Sequence, residues 1–235
     1  MKIIKKIKDM VRLSQIEDKK LSFSQCGEDL IVEFIFDAVK MKNISYLDIG
    51  AHHPFYLSNT YLFYLKGQKG VCVEPDPLLY EKIRENRPRD ISLNIGIGVS
   101  NVSEADFYVM TSPSLNTFSI EDAERYQEYG TQRIEKILKI PLVPVNEILT
   151  KYFRGPPQFV SLDVEGLDMQ ILKTFDLSAC RPTVFCVETL TYTENNTEEK
   201  LNDIIEYMCG NNYMVYADTY INTIFVDKEI WNKRS

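Results

Sequence analysis

Acidic residues stand at the ends of short apolar runs in this sequence. Asp48, Glu74, Asp163 and Glu188 each lie at the end of such a run, and Glu165 follows two residues after Asp163. If the runs are parallel strands, their carboxyl ends meet at one edge of a sheet, where ligands bind in open α/β folds. Carboxylates there can accept hydrogen bonds, attract a cation or take a proton. We expect a binding site at this edge, although the same acids could instead cap helices.

One stretch, from Ile44 to Asp76, has the order strand, glycine turn, helix, strand and acid. This order is typical of a nucleotide-binding βαβ unit. The turn contains a single glycine, Gly50, so it lacks the G-x-G-x-x-G pattern that accommodates a pyrophosphate, and no Walker lysine is present. Asp48 would repel phosphate but attract a cation, and Glu74 can accept two hydrogen bonds from ribose hydroxyls.

S-adenosylmethionine fits both features, because it carries adenosine at one end and an ammonium and a sulfonium at the other. In this interpretation Asp48, Gly50 and Ala51 line the methionine end of the cofactor, Glu74 holds the ribose, and the loop around Ile97 borders the adenine. The alternative is an ordinary βα turn in which Asp48 only caps a helix.

A methyl donor of this kind needs a base when the acceptor is a hydroxyl, since a neutral alcohol is a poor nucleophile. The only two histidines, His52 and His53, follow the glycine turn, while Asp163 and Glu165 are expected at the same edge. Each of these four residues is a candidate base. A divalent cation such as Mg²⁺ or Mn²⁺, held by Asp163 and Glu188, is another way to lower the pKa of the hydroxyl. The alternative role for the histidines is hydrogen bonding within their loop.

The composition is typical of one soluble α/β domain. The chain has 235 residues, of which 44% are hydrophobic and 26% charged, and its net charge is −7. Nucleic acid would need a basic surface, so this balance argues against it as a partner. The five cysteines form no C-x-x-C pair, which indicates reduced thiols in a cytoplasmic protein and no zinc site. Cys72 and Cys186 are expected to be buried, and no apolar run is long enough to span a bilayer.

The first 22 residues form a basic leader that we expect to be helical, ahead of a single domain over residues 23–235. Four apolar residues recur in it at near-helical spacing, namely Ile3, Ile7, Met10 and Val11. Such a segment can dock weakly on an anionic membrane surface. Packing against the domain, or against a partner subunit in a homo-oligomer, is the favoured alternative, so any membrane association is expected to be peripheral.

Apolar runs alternate with helix-compatible segments along the rest of the chain. This alternation predicts a mostly parallel seven-stranded sheet with helices on both faces, and the two final strands form an antiparallel hairpin. The strands are predicted near residues 46–49, 71–73, 91–95, 159–164, 182–187, 213–216 and 223–226. The first helix is predicted to run from Gln25 or Glu28 to Lys40, and the others near 57–66, 77–86, 146–152, 167–175 and 195–209. Residues 100–142, with a weak strand over 105–110 and a long helix over 121–139, form an insertion that would shape or cover a substrate pocket.

Several motifs together resemble the FkbM family of S-adenosylmethionine-dependent methyltransferases. They are Phe23–Leu30 (FSQCGEDL), Leu47–Pro54 (LDIGAHHP), Ser58–Thr60, Val73–Pro77, Leu93–Gly98, Leu115–Ser119 and Ser161–Asp168 (SLDVEGLD). The resemblance extends from Phe23 to Val226 and implies the class I methyltransferase fold. It also implies that Gln25, Asn59 and Asp76, which lie within these motifs, bind the cofactor.

The resemblance further implies O-methylation of a hydroxyl, and the H-H-P form of the glycine turn is similar to the branch found near bacterial polysaccharide genes. The expected acceptor is a sugar, nucleotide-linked or lipid-linked, in capsule or O-antigen synthesis. Many family members have other residues in place of His52 and His53, whereas Asp163 and Glu165 match the family pattern. Alternative acceptors are a carboxylate, a phosphoramidate or a polyketide hydroxyl, and a non-catalytic binding module is a further alternative. The missing glycines argue against a nicotinamide-dependent reductase.

Overall fold

The computed structural model describes residues 20–164, 166–191 and 198–234. Its strands are β1 Ser45–Ile49, β2 Lys69–Val73, β3 Ile91–Leu93, β4 Gly96–Ile97, β5 Glu104–Met110, β6 Ile134–Val143, β7 Phe159–Leu162, β8 Val184–Glu188, β9 Tyr213–Asp218 and β10 Asn222–Asp227. Seven of them form the main sheet in the order β3-β2-β1-β7-β8-β10-β9. Strand β10 runs antiparallel to both of its neighbours, while the other pairings in this sheet are parallel. The predicted sheet, mostly parallel with a terminal antiparallel hairpin, is confirmed.

Helices lie on both faces of this sheet. The helices of the described chain are α1 Glu28–Ala38, α2 Tyr61–Leu65, α3 Pro77–Asn86, α4 Ile120–Tyr129, α5 Val145–Tyr152, α6 Asp168–Leu172, α7 Asn202–Gly210 and α8 Lys228–Asn232. Successive side chains of a strand point to opposite faces of a sheet. On β1, Leu47 and Ile49 belong to a core that α5, α6 and α7 complete, whereas Tyr46 belongs to a second core with α1 and α2. The prediction of helices on both faces is therefore confirmed.

The insertion differs from its prediction. The long helix expected over 121–139 stops at Tyr129, and the residues that follow form β6. This strand pairs antiparallel with β5 and parallel with β4 in a separate three-stranded sheet. Leu138 and Ile140, two residues apart, pack in one cluster with Phe107. The second half of the helix prediction is wrong because this two-residue period and the pairing with a distant strand outweigh local helix propensity.

Other helix boundaries move by a few residues. The helix expected from residue 195 begins at Asn202, because Lys200 forms a β-bridge with Leu190. The helix expected over 57–66 begins at Tyr61. Residues 1–19, which include most of the predicted leader helix, and residues 192–197 lie outside the described chain.

Two further sequence expectations concern cysteines and membranes. The thiols of Cys72 and Cys186 are buried, as expected from their apolar surroundings. Across the part of the chain that the structure describes, no helix is both long and apolar enough to cross a bilayer.

Candidate functional site

A cavity of about 400 Å³ opens at the carboxyl edge of the main sheet, where β1, β2, β7 and β8 end. This volume lies within the usual range of small-molecule sites, roughly 300–1,000 Å³. The predicted site residues that line it are Gln25, Gly50, His52, Asn59, Glu74, Asp163 and Glu188. The acidic residues at the ends of the strands therefore mark the sheet edge at which this cavity forms.

Gly50 brings three strand ends together. Its φ of +80° lies in the left-handed region, and a Cβ atom here would lie 1.7 Å from the backbone oxygen of Asp163. Its N–H donates to the carbonyl of Val73 (3.0 Å), and the N–H of Asp163 donates to the carbonyl of Ile49 (3.1 Å). Only glycine fits this position, so the turn holds the ends of β1, β2 and β7 at one point.

Glu74 is a buried carboxyl at the wall of the cavity. Its two oxygens accept the backbone N–H groups of His52 (2.7 Å) and Asp76 (2.8 Å). Burial raises the pKa of Glu74 to about 8, although these two N–H groups oppose the rise. Each carboxyl oxygen can accept a further hydrogen bond, so Glu74 can bind two neighbouring hydroxyls of a ligand.

The acids at the ends of β7 and β8 form a carboxyl pair. Leu162 is paired with Val187 in the sheet, so Asp163 and Glu188 occupy the next positions, and their side chains are hydrogen-bonded. A hydrogen bond between two carboxyl groups requires one of them to hold a proton. Burial raises the pKa of Asp163 to about 6, the charge of Asp48 adds to the rise, and the hydrogen bond with Glu188 opposes it. This pair can therefore take up a proton near neutral pH.

Asp168 is a third acid near this pair, and we did not single it out from the sequence. Its side chain is buried, and one of its oxygens accepts the backbone N–H of Val164 (3.3 Å). Burial raises the pKa of Asp168 to about 7, and the charge of Asp163 adds to the rise. Its place at the end of the motif SLDVEGLD was the signal that could have identified it. Glu165, the remaining acidic candidate base, lies outside the described residues.

The structure separates the two histidines. His52 lines the cavity, in left-handed backbone conformation (φ 51°), and burial lowers its pKa, so a neutral imidazole faces the site. His53 does not line the cavity. Its Nδ1 accepts the backbone N–H of Tyr56 (3.0 Å), and its ring packs on Phe55 with 4.6 Å between centroids. The geometry gives His53 a role in holding the loop and leaves His52 as the histidine that can meet a ligand.

Asp48 lies beneath the cavity and not in its lining. It follows Tyr46 by two residues on β1, and it accepts a hydrogen bond from the Thr60 hydroxyl. The fully buried guanidinium of Arg87 lies 3.8 Å from the Asp48 carboxylate and also donates to Tyr46 (3.1 Å) and Thr60 (2.9 Å). Strand alternation turns the Asp48 side chain toward α2, where it joins a buried polar network, and its expected contact with a cofactor stays a prediction.

Three more predicted cofactor residues frame the cavity without lining it. Ala51 packs on Cys72 below the turn, and Ile97 belongs to the core of the main sheet. Asp76 caps α3 by accepting the N–H of Leu78 (2.7 Å). These positions support the cavity wall, and the cofactor contacts expected for them remain predictions.

The insertion supplies an apolar wall of the cavity. Phe107, Leu115 and Phe118 line it, and the two phenylalanine rings pack with 4.8 Å between centroids. Gly96 makes room for this arrangement, because a Cβ atom there would lie 2.4 Å from the Phe118 ring. Asn116 ties the wall to the main domain by donating to the Asp76 carboxylate (3.1 Å). The segment therefore forms part of the cavity wall, and the expectation that it shapes or covers a substrate pocket stays a prediction.

Another part of the cavity lining comes from the C-terminal part of the chain. Tyr220 and Asn222, at the β9–β10 hairpin, line the cavity together with Glu198. Asn222 donates to the buried carboxylate of Glu28 (3.1 Å), while its own buried Oδ1 has no partner in the described structure. An acceptor atom of this kind can bind a donor from a ligand.

The charge of the lining is one-sided. Among the described residues, four carboxyl groups line the cavity, those of Glu74, Asp163, Glu188 and Glu198, and no Lys or Arg does. At neutral pH Glu74 is mostly protonated and the pair of Asp163 and Glu188 shares a proton, so the cavity carries fewer than four negative charges. No basic side chain of the described lining can balance an anion, so the site still favours a cationic ligand over an anionic one.

The side chains offer the divalent metal considered above only a pair of carboxyl groups. Asp163 and Glu188 share a hydrogen bond with each other. Among the residues that the structure describes, no group of three or more His, Cys, Asp or Glu side chains is arranged to hold a metal ion. Mg²⁺ is often held by only one or two carboxylates together with waters and ligand oxygens, so the metal expected at Asp163 and Glu188 stays a prediction, and no step of the chemistry is assigned to it.

The sheet order with its reversed strand β10, and the ligand-sized cavity at the carboxyl edge, define a class I methyltransferase fold. The sequence model of the FkbM methyltransferase domain matches residues 48–215. The chain belongs to this family and is an S-adenosylmethionine-dependent methyltransferase. No curated protein matches it significantly.

Solved structures with a similar backbone have low sequence identity to this chain. A TehB-like SAM-dependent methyltransferase from Corynebacterium glutamicum is 8% identical, with 95% of this chain and 97% of that chain covered and a TM-score of 0.44. An O-methyltransferase from Bacillus cereus, in complex with SAH, is 10% identical, with 96% and 90% covered and a TM-score of 0.45.

Proposed function

We propose that this methyltransferase transfers the methyl group of S-adenosylmethionine to a hydroxyl group of a sugar. The observation that carries the proposal is the charge of the cavity, whose described lining holds four carboxyl groups and no Lys or Arg. This lining suits a cationic cofactor and a neutral, polyhydroxylated acceptor. It disfavours the carboxylate and phosphoramidate acceptors, because both are anions that the lining would repel.

The residues present fit the cofactor at several points. Glu74, Leu79, Phe107 and Phe118 line the cavity. In this proposal Glu74 holds the ribose, and the three apolar side chains contact the adenine. The cofactor supplies a methyl group that its sulfonium has already activated. The protein must then hold the acceptor hydroxyl in line with that methyl group and remove the hydroxyl proton.

Asp163 is the proposed proton acceptor. It lines the cavity, and burial raises its pKa to about 6, so at neutral pH it is mostly ionised yet still basic enough to take a proton. Glu188 stabilises the ionised form through the hydrogen bond between the two side chains. His52, which is neutral and also lines the cavity, is the alternative base.

The wall formed by the hairpin offers the contacts that a sugar needs. The exposed ring of Tyr220 can pack against the apolar face of a pyranose, since aromatic rings combine large area with low conformational cost. The amide groups of Gln25 and Asn222 line the same cavity and can exchange hydrogen bonds with hydroxyls. This combination supports a sugar over a polyketide hydroxyl.

The carrier of the sugar must keep its phosphates outside the anionic cavity. A sugar at the end of a lipid carrier or of a growing capsule or O-antigen chain meets this requirement more easily than a nucleotide sugar, whose diphosphate adjoins the sugar directly. We place the reaction in the cytoplasm, where both the cofactor and such precursors are available. An amino sugar is a second candidate acceptor, because the same carboxyl groups favour a cationic substrate.

A matched set of acceptors tests the proposal. Methyl transfer from radiolabelled S-adenosylmethionine is measured with a neutral hexoside, the corresponding uronic acid and the corresponding amino sugar. We expect transfer to the neutral sugar to exceed transfer to the uronic acid by at least about tenfold, since the carboxylate is repelled. Preferred methylation of the uronic acid would reject the proposal. NMR of the product distinguishes an O-methyl from an N-methyl group.

A further inference from the structure

Large apolar side chains are exposed beside the entrance of the cavity. Phe55, Tyr56 and Leu57, on the loop between β1 and α2, and Leu78 on α3 are between 37% and 66% exposed. Leu57 also lines the cavity, as does Leu79, the neighbour of Leu78. These four exposed residues, Phe55, Tyr56, Leu57 and Leu78, are the entrance patch. Three of them are consecutive in the chain, which is unlike the scattered single apolar residues of an ordinary surface.

The loop that carries three of them is held in a strained form. His52 and Leu57, near its two ends, both have left-handed backbone conformations, with φ values of 51° and 55°. Residues other than glycine adopt this conformation only when the surrounding structure enforces it, and such strain is concentrated at functional sites. The enforced conformation of the loop therefore exposes Phe55 and Tyr56 to solvent.

The basic leader joins the fold next to this patch. The carbonyl of Phe23 accepts the N–H of Ser58 (2.9 Å), and the ring of Tyr61 packs on those of Phe23 and Phe55, at 4.9 and 5.8 Å between centroids. The first 20 residues contain seven Lys or Arg against three Asp or Glu, in a chain whose net charge is −7. The rest of the chain has a net negative charge, and the basic N-terminal segment joins it beside the entrance patch.

We propose that the entrance patch and the basic N-terminal segment together dock the protein onto an anionic lipid bilayer, with the cavity entrance toward the lipid. Aromatic and aliphatic side chains partition into the headgroup boundary, and Lys and Arg are attracted to anionic headgroups. A single weak signal gives only marginal binding, whereas an apolar and a basic signal on one surface reinforce each other. The acidic remainder of the chain is repelled by the same lipid, so one orientation is favoured.

This inference rests on the proposed function in one respect, the identity of the acceptor. With the cavity entrance at the bilayer, the sugar that reaches Asp163 would be one carried by a membrane lipid. Docking itself involves neither the cofactor nor the base, so vesicle binding can be measured independently of methyl transfer.

Co-sedimentation of the full chain with vesicles tests docking. We compare phosphatidylcholine vesicles with vesicles that also contain about 30% phosphatidylglycerol, a fraction that gives a strongly negative surface. We expect binding to the anionic vesicles that weakens as salt is added, and little binding to phosphatidylcholine alone. Absence of binding to anionic vesicles at low salt would overturn the proposal.

Two variants and their matched controls identify the surface. The first replaces three patch residues that do not line the cavity, Phe55→Ser, Tyr56→Ser and Leu78→Ser, and its control changes exposed residues elsewhere, Val102→Ser and Ile137→Ser. The second replaces Lys2, Lys5 and Lys6 by Gln, and its control replaces Lys136, Lys151 and Lys173 by Gln. We expect each test variant to lose at least about fivefold in vesicle binding while the controls keep wild-type binding.

Two results would overturn the assignment of the surface. One is equal vesicle binding by the patch variant and by the wild type, for protein shown by circular dichroism to be folded. The other is a concentration-dependent dimer, seen by sedimentation velocity without lipid, that the patch variant abolishes; the patch would then contact a second copy of the chain. If vesicle binding follows the expectation but no sugar is methylated, the proposed function fails and the docking inference stands.

Discussion

At the residue scale, Asp163 combines a place in the cavity with a pKa of about 6. Replacing it by Asn keeps the size of the side chain and removes the proton acceptor. We expect kcat to fall by about 10²–10⁴-fold, the usual contribution of a general base, while the Kd for S-adenosylmethionine changes by less than about threefold. Steady-state kinetics and calorimetry measure the two quantities.

A His53→Asn variant is the control, because Asn can still accept the N–H of Tyr56. An equal loss of kcat in both variants would contradict the assignment of the base.

The same residue gives a pH dependence with a definite sign. In the wild type kcat/KM should rise as the pH increases through about 6, because only the ionised form of Asp163 can take a proton. The hydrogen bond with Glu188 lowers the pKa of Asp163, so Glu188→Ala should move this rise to higher pH. Glu188→Gln keeps a donor and should move it less. A rise that moves to lower pH in the Glu188→Ala variant would show that the pair does not act as described.

Gly50 gives a residue-scale expectation for stability. An added Cβ would overlap the backbone oxygen of Asp163, and the φ of +80° is unfavourable for any other residue. Gly50→Ala should therefore lower the free energy of unfolding by more than about 3 kcal/mol. Gly155→Ala is the matched control, since nothing lies within 4 Å of a Cβ at that position. Urea unfolding compares the two, and similar midpoints would mean that the turn tolerates a side chain.

At the element scale, the three-stranded sheet contributes an apolar part of the cavity wall. Phe118 packs on Phe107 and lines the cavity, so Phe118→Ala should weaken S-adenosylmethionine binding about tenfold, equivalent to about 1.4 kcal/mol. Ile137 lies on the same sheet with its side chain exposed and provides the control as Ile137→Ala. Calorimetric titration measures both affinities. If the two variants bind the cofactor equally well, the insertion does not contact the adenine.

The elements show what local sequence can and cannot predict. The strand and glycine turn around Gly50 could be predicted because their apolar period and turn chemistry are local properties. Strand β6 could not be predicted, because Leu138 and Ile140 form a strand only through pairing with β5. Its charged residues Glu135, Lys136 and Lys139 also suit a helix. The pairing of Asn222 with Glu28, which shapes one cavity wall, joins residues 194 positions apart and leaves no local pattern.

The candidate site shows the same limit at finer detail. Strand-end position correctly predicts that Glu74, Asp163 and Glu188 share a cavity. It does not give the face toward which a side chain turns, and Asp48 turns away into the network of Arg87 and Thr60. Alternation along β1 holds the missing information, since Asp48 shares a face with Tyr46, opposite Leu47 and Ile49.

At the scale of the whole molecule, several buried carboxyl groups make stability depend on pH. The pKa values of Glu74, Asp163 and Asp168 are raised to about 8, 6 and 7, mainly by burial. In an unfolded chain the pKa of such groups is about 4. Between these values the folded protein binds more protons than the unfolded one, so the free energy of unfolding should fall as the pH rises from about 5 to 8. Binding of a cation to the cavity should offset this loss, because it stabilises the ionised carboxyl groups.

A matched pair of ligands can test this coupling between charge and binding. S-adenosylmethionine carries the sulfonium charge, whereas S-adenosylhomocysteine has the same adenosine and ammonium but a neutral sulfur. Differential scanning fluorimetry at about pH 5.5 and pH 8 should give a lower Tm for the free protein at the higher pH. The gain in Tm from S-adenosylmethionine should grow with pH more than the gain from S-adenosylhomocysteine, since only the former adds a charge at sulfur beside the ionising carboxyl groups. A free-protein Tm that increases toward pH 8, or equal pH dependence for the two ligands, would show that the buried carboxyl groups do not sense the sulfonium.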